Sequence, residues 1–231
     1  MGSRLIMDLA ILPGIILLVL VYRQDKIEKE PIGLIIKLIL AGAATVVSAL
    51  VLESLGDYIL NILFYPDTIL YLLLENIIVV ACVEEGGKYL VTKALTWRDV
   101  NFNYRFDGIV YCLCASMGFA IVENIAYASS YGLANVIVRA FTAVPAHAIF
   151  GIMMGHFYGY AKEYDRLGDE RRSRRFRKRA YIMPVIFHGL YDVFAGDELE
   201  YGFIIFLILV IAMYIWAIKR VGRDSREDER I

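Results

Sequence analysis

Long apolar runs separated by short charged blocks limit what this chain can become more than any other feature. Seven runs, at roughly 5–22, 32–55, 67–96, 106–128, 134–161, 180–196 and 201–219, approach or exceed the about 20 residues that a helix needs to cross a bilayer core. Pro31, Pro66 and Asp67 fall at span starts, where proline costs no helical hydrogen bond. Composition agrees. The chain is 59% hydrophobic, against roughly 45–50% for a soluble domain, and its mean hydropathy is +0.57. The expected fold is therefore all-α: a polytopic membrane helix bundle of about seven or eight helices, forming one integral-membrane domain over residues 1–231.

Charge sets the expected orientation. Arg23, Lys26 and Lys29 follow the first run without a small-residue cleavage site, which argues against a signal peptide. Arg98 and Arg105, the run from Arg171 to Arg179, and Lys219, Arg220, Arg223, Arg226 and Arg230 fill alternate connections and the tail. The intervening connections at 56–66, 129–132 and 196–200 carry no Lys or Arg. Seven spans with the amino terminus outside and the carboxyl terminus in the cytoplasm satisfy the positive-inside rule throughout. The Arg-rich block reads as topogenic and lipid-facing, so no nucleic-acid partner is expected. Cys82, Cys112 and Cys114 all lie within apolar runs, which suggests packing rather than a disulfide framework. No internal repeat is visible, which weighs against the repeat architecture of secondary transporters.

Ionisable groups inside a membrane span cost at least about 2.5–3.5 kcal/mol near its centre, so they mark function. Here the embedded ionisable residues that matter are Glu84, Glu85, Lys88, Glu123, His147, His156, His188 and Asp192, with the polar Asn124 beside Glu123. Glu84 and Glu85 stand four and three residues before Lys88, which puts carboxylate and ammonium on one helix face. Phe119 and Glu123 share a face, as do His188 and Asp192, and the latter carboxylate can hold one imidazole nitrogen. Pro145 is expected to kink the fifth span near His147, and Gly151 and Gly155 share the His147 face as a small-residue stripe. His156 points away from His147 and reads as structural. On ideal helices Glu123 comes about 10 Å nearer the outside than the rest of the set.

Carboxylates and imidazoles converging from spans three to six suit amide hydrolysis. Zn2+ takes three such ligands and keeps a fourth position for water, whose proton an unligated glutamate can accept. A glutamate among histidines can also activate water without metal. The same residues suit a proton- or cation-coupled transporter or channel, which would give ion flux and no proteolysis.

At these positions the sequence resembles a known family. Glu84-Glu85-Gly86-Gly87-Lys88 matches an EExxK motif and Phe119 to Glu123 an FxxxE motif; His147 in the Arg139–His147 stretch and the His188 to Asp192 stretch complete the series. Together with Tyr22–Asp25, Glu30-Pro31 and Phe106-Asp107-Gly108, they resemble the PrsW intramembrane proteases, relatives of the CAAX- and bacteriocin-processing membrane proteases, over roughly residues 20–195. The resemblance implies a multi-pass protein of a prokaryotic plasma membrane, with a catalytic core over about 67–196. Its substrate would be a single-span membrane protein, an anti-sigma factor given a site-1-type first cut. It also implies Glu84 and Glu85 as the catalytic pair, joined by Asp192, with Glu123, His147 and His188 holding water or metal and Lys88, Phe119 and Asn124 in support. Where the wider superfamily has arginine and histidine, this chain has Lys88 and Glu123.

Overall fold

A computed structural model describes residues 2–66, 68–196 and 199–231. Asp67, expected to open the third span, lies outside the described residues, as do Asp197 and Glu198 of the connection before the last one. The architecture is a helix bundle. Helix α1 covers Gly2–Tyr22 and α2 Ile32–Leu63; a short α3, Ile69–Leu73, runs through a π-helical stretch, Leu74–Ala81, into α4, Cys82–Thr96. Then come α5 (Asp107–Phe141), α6 (Ala143–Arg166), α7 (Glu170–Ala195) and α8 (Gly202–Arg226). Three stretches, Ile32–Leu63, Asp107–Arg166 (α5 with α6) and Gly202–Arg226, are long and apolar enough to cross a membrane, and the apolar Ile6–Tyr22 is shorter.

The centre of the bundle is α5, against which α1, α2 and α6 all pack. Its first half, from Asp107 to Ala120, is buried throughout. By contrast α2 and α8 turn Leu40, Val47, Val51, Ile204 and Ile208 outward, as helices facing lipid do. The contact of α6 on α5 depends on missing side chains: a Cβ at Gly155 would stand 2.4 Å from the Gly108 carbonyl oxygen. The stripe that includes Gly155 thus lets two backbones touch.

Two connections differ from the sequence expectation. The chain turns at Gly132 (φ 75°, ψ −167°), a conformation open to glycine, before the expected 134–161 span, and a single such span does not form because it breaks at Thr142 (φ −118°, ψ −74°). Pro145 consequently falls in the first turn of α6, where its absent N–H would have had no intrahelical partner, and the expected kink appears as the break three residues earlier. Helix α7 begins about ten residues before the expected sixth span, because Asp169 caps it by accepting from the Arg172 N–H at 2.8 Å; the Arg-rich block is its first half.

At one end of the bundle the 23–31 connection and the carboxyl-terminal tail are tied to α5. The Tyr111 hydroxyl donates to Glu30 at 2.5 Å, the Phe106 N–H to Asp228 at 2.9 Å and the Ile231 N–H to the Asn103 carbonyl at 2.7 Å. Asp25 and Glu30 are nearly inaccessible, at 2% and 3%. Burial pushes their carboxyls up, to about 6 for Asp25 and about 7 for Glu30. The native state therefore holds these protons more tightly than the unfolded chain, and this contribution to stability is complete below the ordinary carboxylate pKa and lost as pH rises through about 7.

Two measurements check this account. Gly155→Ala should lower the thermal midpoint in detergent through an overpacking penalty of about 1–3 kcal/mol; an unchanged midpoint would mean that α5 and α6 are not in backbone contact. Glu30→Gln, which mimics the protonated acid, should match the native protein near pH 4 and become the more stable of the two as pH rises to about 7. A gap between the two proteins that does not widen with pH contradicts the burial of that carboxyl.

Candidate active site

Four helices bring the candidate residues together. Glu84, Glu85 and Lys88 sit on α4 directly after the π-helical stretch, Phe119 and Glu123 on α5, His147 on α6, and His188 and Asp192 on α7. The wider π turns let the chain reach α7 at Gly189, where a Cβ would stand 2.6 Å from Ile77 Cγ1 and 2.9 Å from its Cα. The α7 backbone beside His188 thereby lies against the wall that carries the two glutamates.

Lys88 is the hub. Its side chain is fully buried, and Nζ lies 2.7 Å from Glu85 Oε1, 3.1 Å from Glu84 Oε2 and 3.2 Å from His147 Nδ1. Both helical spacings foreseen in the sequence are thus used at once. An ammonium only donates, so His147 Nδ1 accepts, and the ring proton must be on Nε2. Nε2 then donates to Glu123 Oε2 at 2.9 Å. The offset in depth expected for Glu123 is absent, and Glu123 and His147 are bonded partners. Phe119 lies under the ammonium, with Nζ 4.1 Å from its ring centre, which gives the aromatic of the FxxxE motif a physical task.

His188 is held from two sides. Its Nδ1 bonds to Glu85 Oε1 at 3.0 Å, and Phe150 stacks on the ring at 4.8 Å. Asp192 Oδ2 stands 3.2 Å from Nε2, the pairing expected from the helical spacing. Glu85 from another helix is thus added to Asp192 one turn away.

These groups open on a cavity of about 580 Å³, whose walls include Glu84, Glu123, His147, His188 and Asp192. Glu85 and Lys88 lie behind it with no exposure. Other lining residues are Arg139 at the end of α5, which opens the Arg139–His147 stretch, and three that sequence reasoning missed: Glu53 on α2, Asn76 in the π stretch and Phe150. Glu53 was detectable, since it is a charge inside an apolar run; Phe150 carries no signal in one sequence. Asn124 bonds outward, donating to the Ala10 carbonyl at 3.0 Å and accepting from Arg139 Nε at 3.1 Å. His156 is remote from the cluster and pairs with Asp224 on α8 at 2.8 Å.

Donor atoms of Glu84, Glu85, His147 and His188 all lie within 4.8 Å of one another, and two imidazoles with two carboxylates suit zinc. Glu85 Oε2 and Asp192 Oδ2 are buried without a donor, as lone pairs meant for a cation would be. The donor types thus fit a metal, which His147 would join only by releasing Lys88 or Glu123, since both its ring nitrogens are bonded. Glu123, which the motif resemblance adds to the ligands, stands beside this set, bonded to His147 and 2.8 Å from Arg139.

Removing Lys88 would leave two carboxylates buried and unpaired. Lys88→Met should therefore destabilise the fold by about 3–5 kcal/mol, read as a lower thermal midpoint in detergent. A midpoint equal to that of the native protein would rule out the buried ion triad.

Comparison with known proteins places this arrangement in a family. The model of the PrsW family intramembrane metalloprotease matches residues 30–218. Protease PrsW of Oceanobacillus iheyensis is 30% identical over 222 residues, covering 95% of this chain and 97% of that protein. Protease PrsW of Shouchella clausii is 30% identical (93% of this chain, 95% of the relative), and that of Bacillus subtilis 25% (91% and 90%). No solved structure matches. With a family match over most of its length and a relative of this identity along nearly all of it, the chain belongs to the PrsW family of intramembrane metalloproteases, and is a membrane-embedded peptidase.

Proposed function

We propose that this enzyme hydrolyses a peptide bond of a single-span membrane protein, in the cavity bounded by α4 to α7, with Glu84 as the general base. One observation carries the reading. Of the two adjacent glutamates, Glu84 lines the cavity while Glu85 is sealed behind it against Lys88 and His188. Only Glu84 can meet water and substrate together.

Glu84 accepts a proton from a water as the water oxygen attacks the scissile carbonyl carbon. The same carboxyl then returns the proton to the amide nitrogen, so that the C–N bond breaks and a neutral amine leaves. Lys88 keeps the two carboxylates of α4 together, and Glu85 orients His188 towards the water. His147, fixed between Lys88 and Glu123, supplies a rigid wall, and Asp192 offers an acceptor at the mouth. Glu85, His147 and His188 of the same cluster are the residues that would hold a zinc ion, with Glu84 left unligated as the base. Such an ion makes a bound water more acidic and polarises the carbonyl.

The substrate class follows from the family and from the outcome implied by the motif resemblance: an anti-sigma factor given its first cut, in a prokaryotic plasma membrane. The working unit would be the whole chain as one domain, with its catalytic core over about residues 67–196 and the amino terminus outside. In this reading the catalytic groups are Glu84, Glu85, Glu123, His147, His188 and Asp192.

The test is cleavage of a tagged single-span anti-sigma factor co-reconstituted in proteoliposomes, together with elemental analysis of the purified enzyme for zinc. Glu84→Gln should lower the rate by at least about 10²–10⁴-fold while keeping a near-native thermal midpoint, because the amide oxygen still accepts from Lys88. His188→Ala should lower both the rate and the zinc content. Full activity of Glu84→Gln would remove Glu84 from the chemistry.

A further inference from the structure

Arg139, eight residues before His147, is a charged residue fixed at the edge of the cavity. It lies seven residues past the Gly132 turn, near the end of α5, with a side chain only 13% exposed. Three contacts hold its guanidinium. Nε donates to Asn124 Oδ1 at 3.1 Å, the guanidinium carbon stands 3.7 Å over the Tyr127 ring centre, and Nη2 is 2.8 Å from Glu123 Oε2. Asn124 is itself tethered to α1 through the Ala10 carbonyl. The arginine is thus held from α1 and from one face of α5 before it meets the glutamate.

We infer that Arg139 is a positioning residue of the peptidase: it holds the Glu123 carboxylate, and through it the His147 ring, in the register that the reaction uses. Glu123 Oε2 bonds to His147 Nε2 at 2.9 Å and forms an ion pair with Arg139 Nη2 at 2.8 Å. Without the arginine, the Glu123 carboxylate would face Glu84 and Glu53 across the cavity with only one neutral imidazole N–H to hold it. It would then turn towards solvent in the cavity or draw Lys88 away from Glu84. Either movement releases His147, whose other nitrogen is committed to Lys88 at 3.2 Å. Arg139 therefore acts two residues away from the reacting bond, through Glu123 and His147.

A planar guanidinium suits this task better than an ammonium, since it stacks on Tyr127 while donating to Asn124 and pairing with Glu123 at once. The inference rests on the reading of Glu123 as part of the active site, and a double-mutant cycle separates the two. Initial rates with the same reconstituted anti-sigma factor, over a range of substrate mole fractions, give kcat and KM for Arg139→Gln, Arg139→Lys, Glu123→Gln and the Arg139→Gln/Glu123→Gln pair.

Arg139→Gln is expected to lower kcat by about 10–100-fold with KM changed less than about threefold, and Arg139→Lys to recover part of that loss. In the Glu123→Gln background the further loss from Arg139→Gln should be less than about threefold, because the group it positions is already neutral. A loss that multiplies across the pair, or one that appears in KM, would overturn the inference and make Arg139 a direct substrate contact. So would full activity of Arg139→Gln. Should Arg139→Gln fold poorly, as its thermal midpoint will report, the decision passes to Arg139→Lys, measured alone and with Glu123→Gln: the same non-additivity is expected, and its absence overturns the inference. Full activity of Glu123→Gln would instead refute the placing of Glu123 in the site.

Discussion

The buried ammonium of Lys88 sets the terms for the rest of the molecule. It carries three hydrogens and meets three acceptors, Glu84, Glu85 and His147, over an aromatic ring. In an apolar bundle no water can replace a missing partner, so each acceptor is obligatory and each fixes a helix. Glu84 and Glu85 come from the same helix as the lysine, whereas His147 ties α4 to α6. From His147 the order passes to Glu123 on α5, and from Glu85 to His188 on α7. One cation thereby registers four helices, and it decides which nitrogen of His147 bears the proton.

That network is possible only because the helices approach unusually closely, and the sequence provides for this by omission. Gly155 lets α6 touch the backbone of α5, and Gly189 lets α7 touch the π-helical stretch at Ile77. The π stretch has its own consequence. Its wider turns change the rotational phase of the chain just before Glu84, so Asn76 and Val80 face the same cavity as Glu84 while Glu85 turns behind it. Local helix geometry therefore separates two chemically identical neighbours into one that faces the cavity and one that does not.

Much of this was legible in the sequence, for reasons of period and penalty. Apolar runs locate the helices, and the i, i+3 and i, i+4 spacings of Glu84, Glu85 and Lys88 place three charges on one face, because helical period alone decides both. What failed depended on departures from the ideal helix. Ideal helices put Glu123 too far from His147, whereas the turn at Gly132 and the break at Thr142 bring the two together. Helical spacing finds Asp192 beside His188, but not Glu85, which bonds to its other nitrogen from across the bundle. Glu53 is visible as a charge inside an apolar run, but it lies near the end of that run and outside every motif.

The distribution of committed and free lone pairs divides the site into two halves with different duties. In the buried half, Lys88, Glu85 Oε1 and both nitrogens of His147 are already used, and any change there disturbs a partner on another helix. In the half that meets the cavity, Asp192 Oδ2 has no donor, His188 Nε2 has no aligned partner, and Glu84 meets Lys88 through a single oxygen. A membrane interior accepts ionised groups only when they are compensated, and the compensation is concentrated in the buried half. Reactivity is left to the half that a water, a cation or a peptide carbonyl can reach. A hydrolase working among lipids needs this division, because a catalytic carboxylate that was fully paired would be inert, and one wholly unpaired would not stay charged.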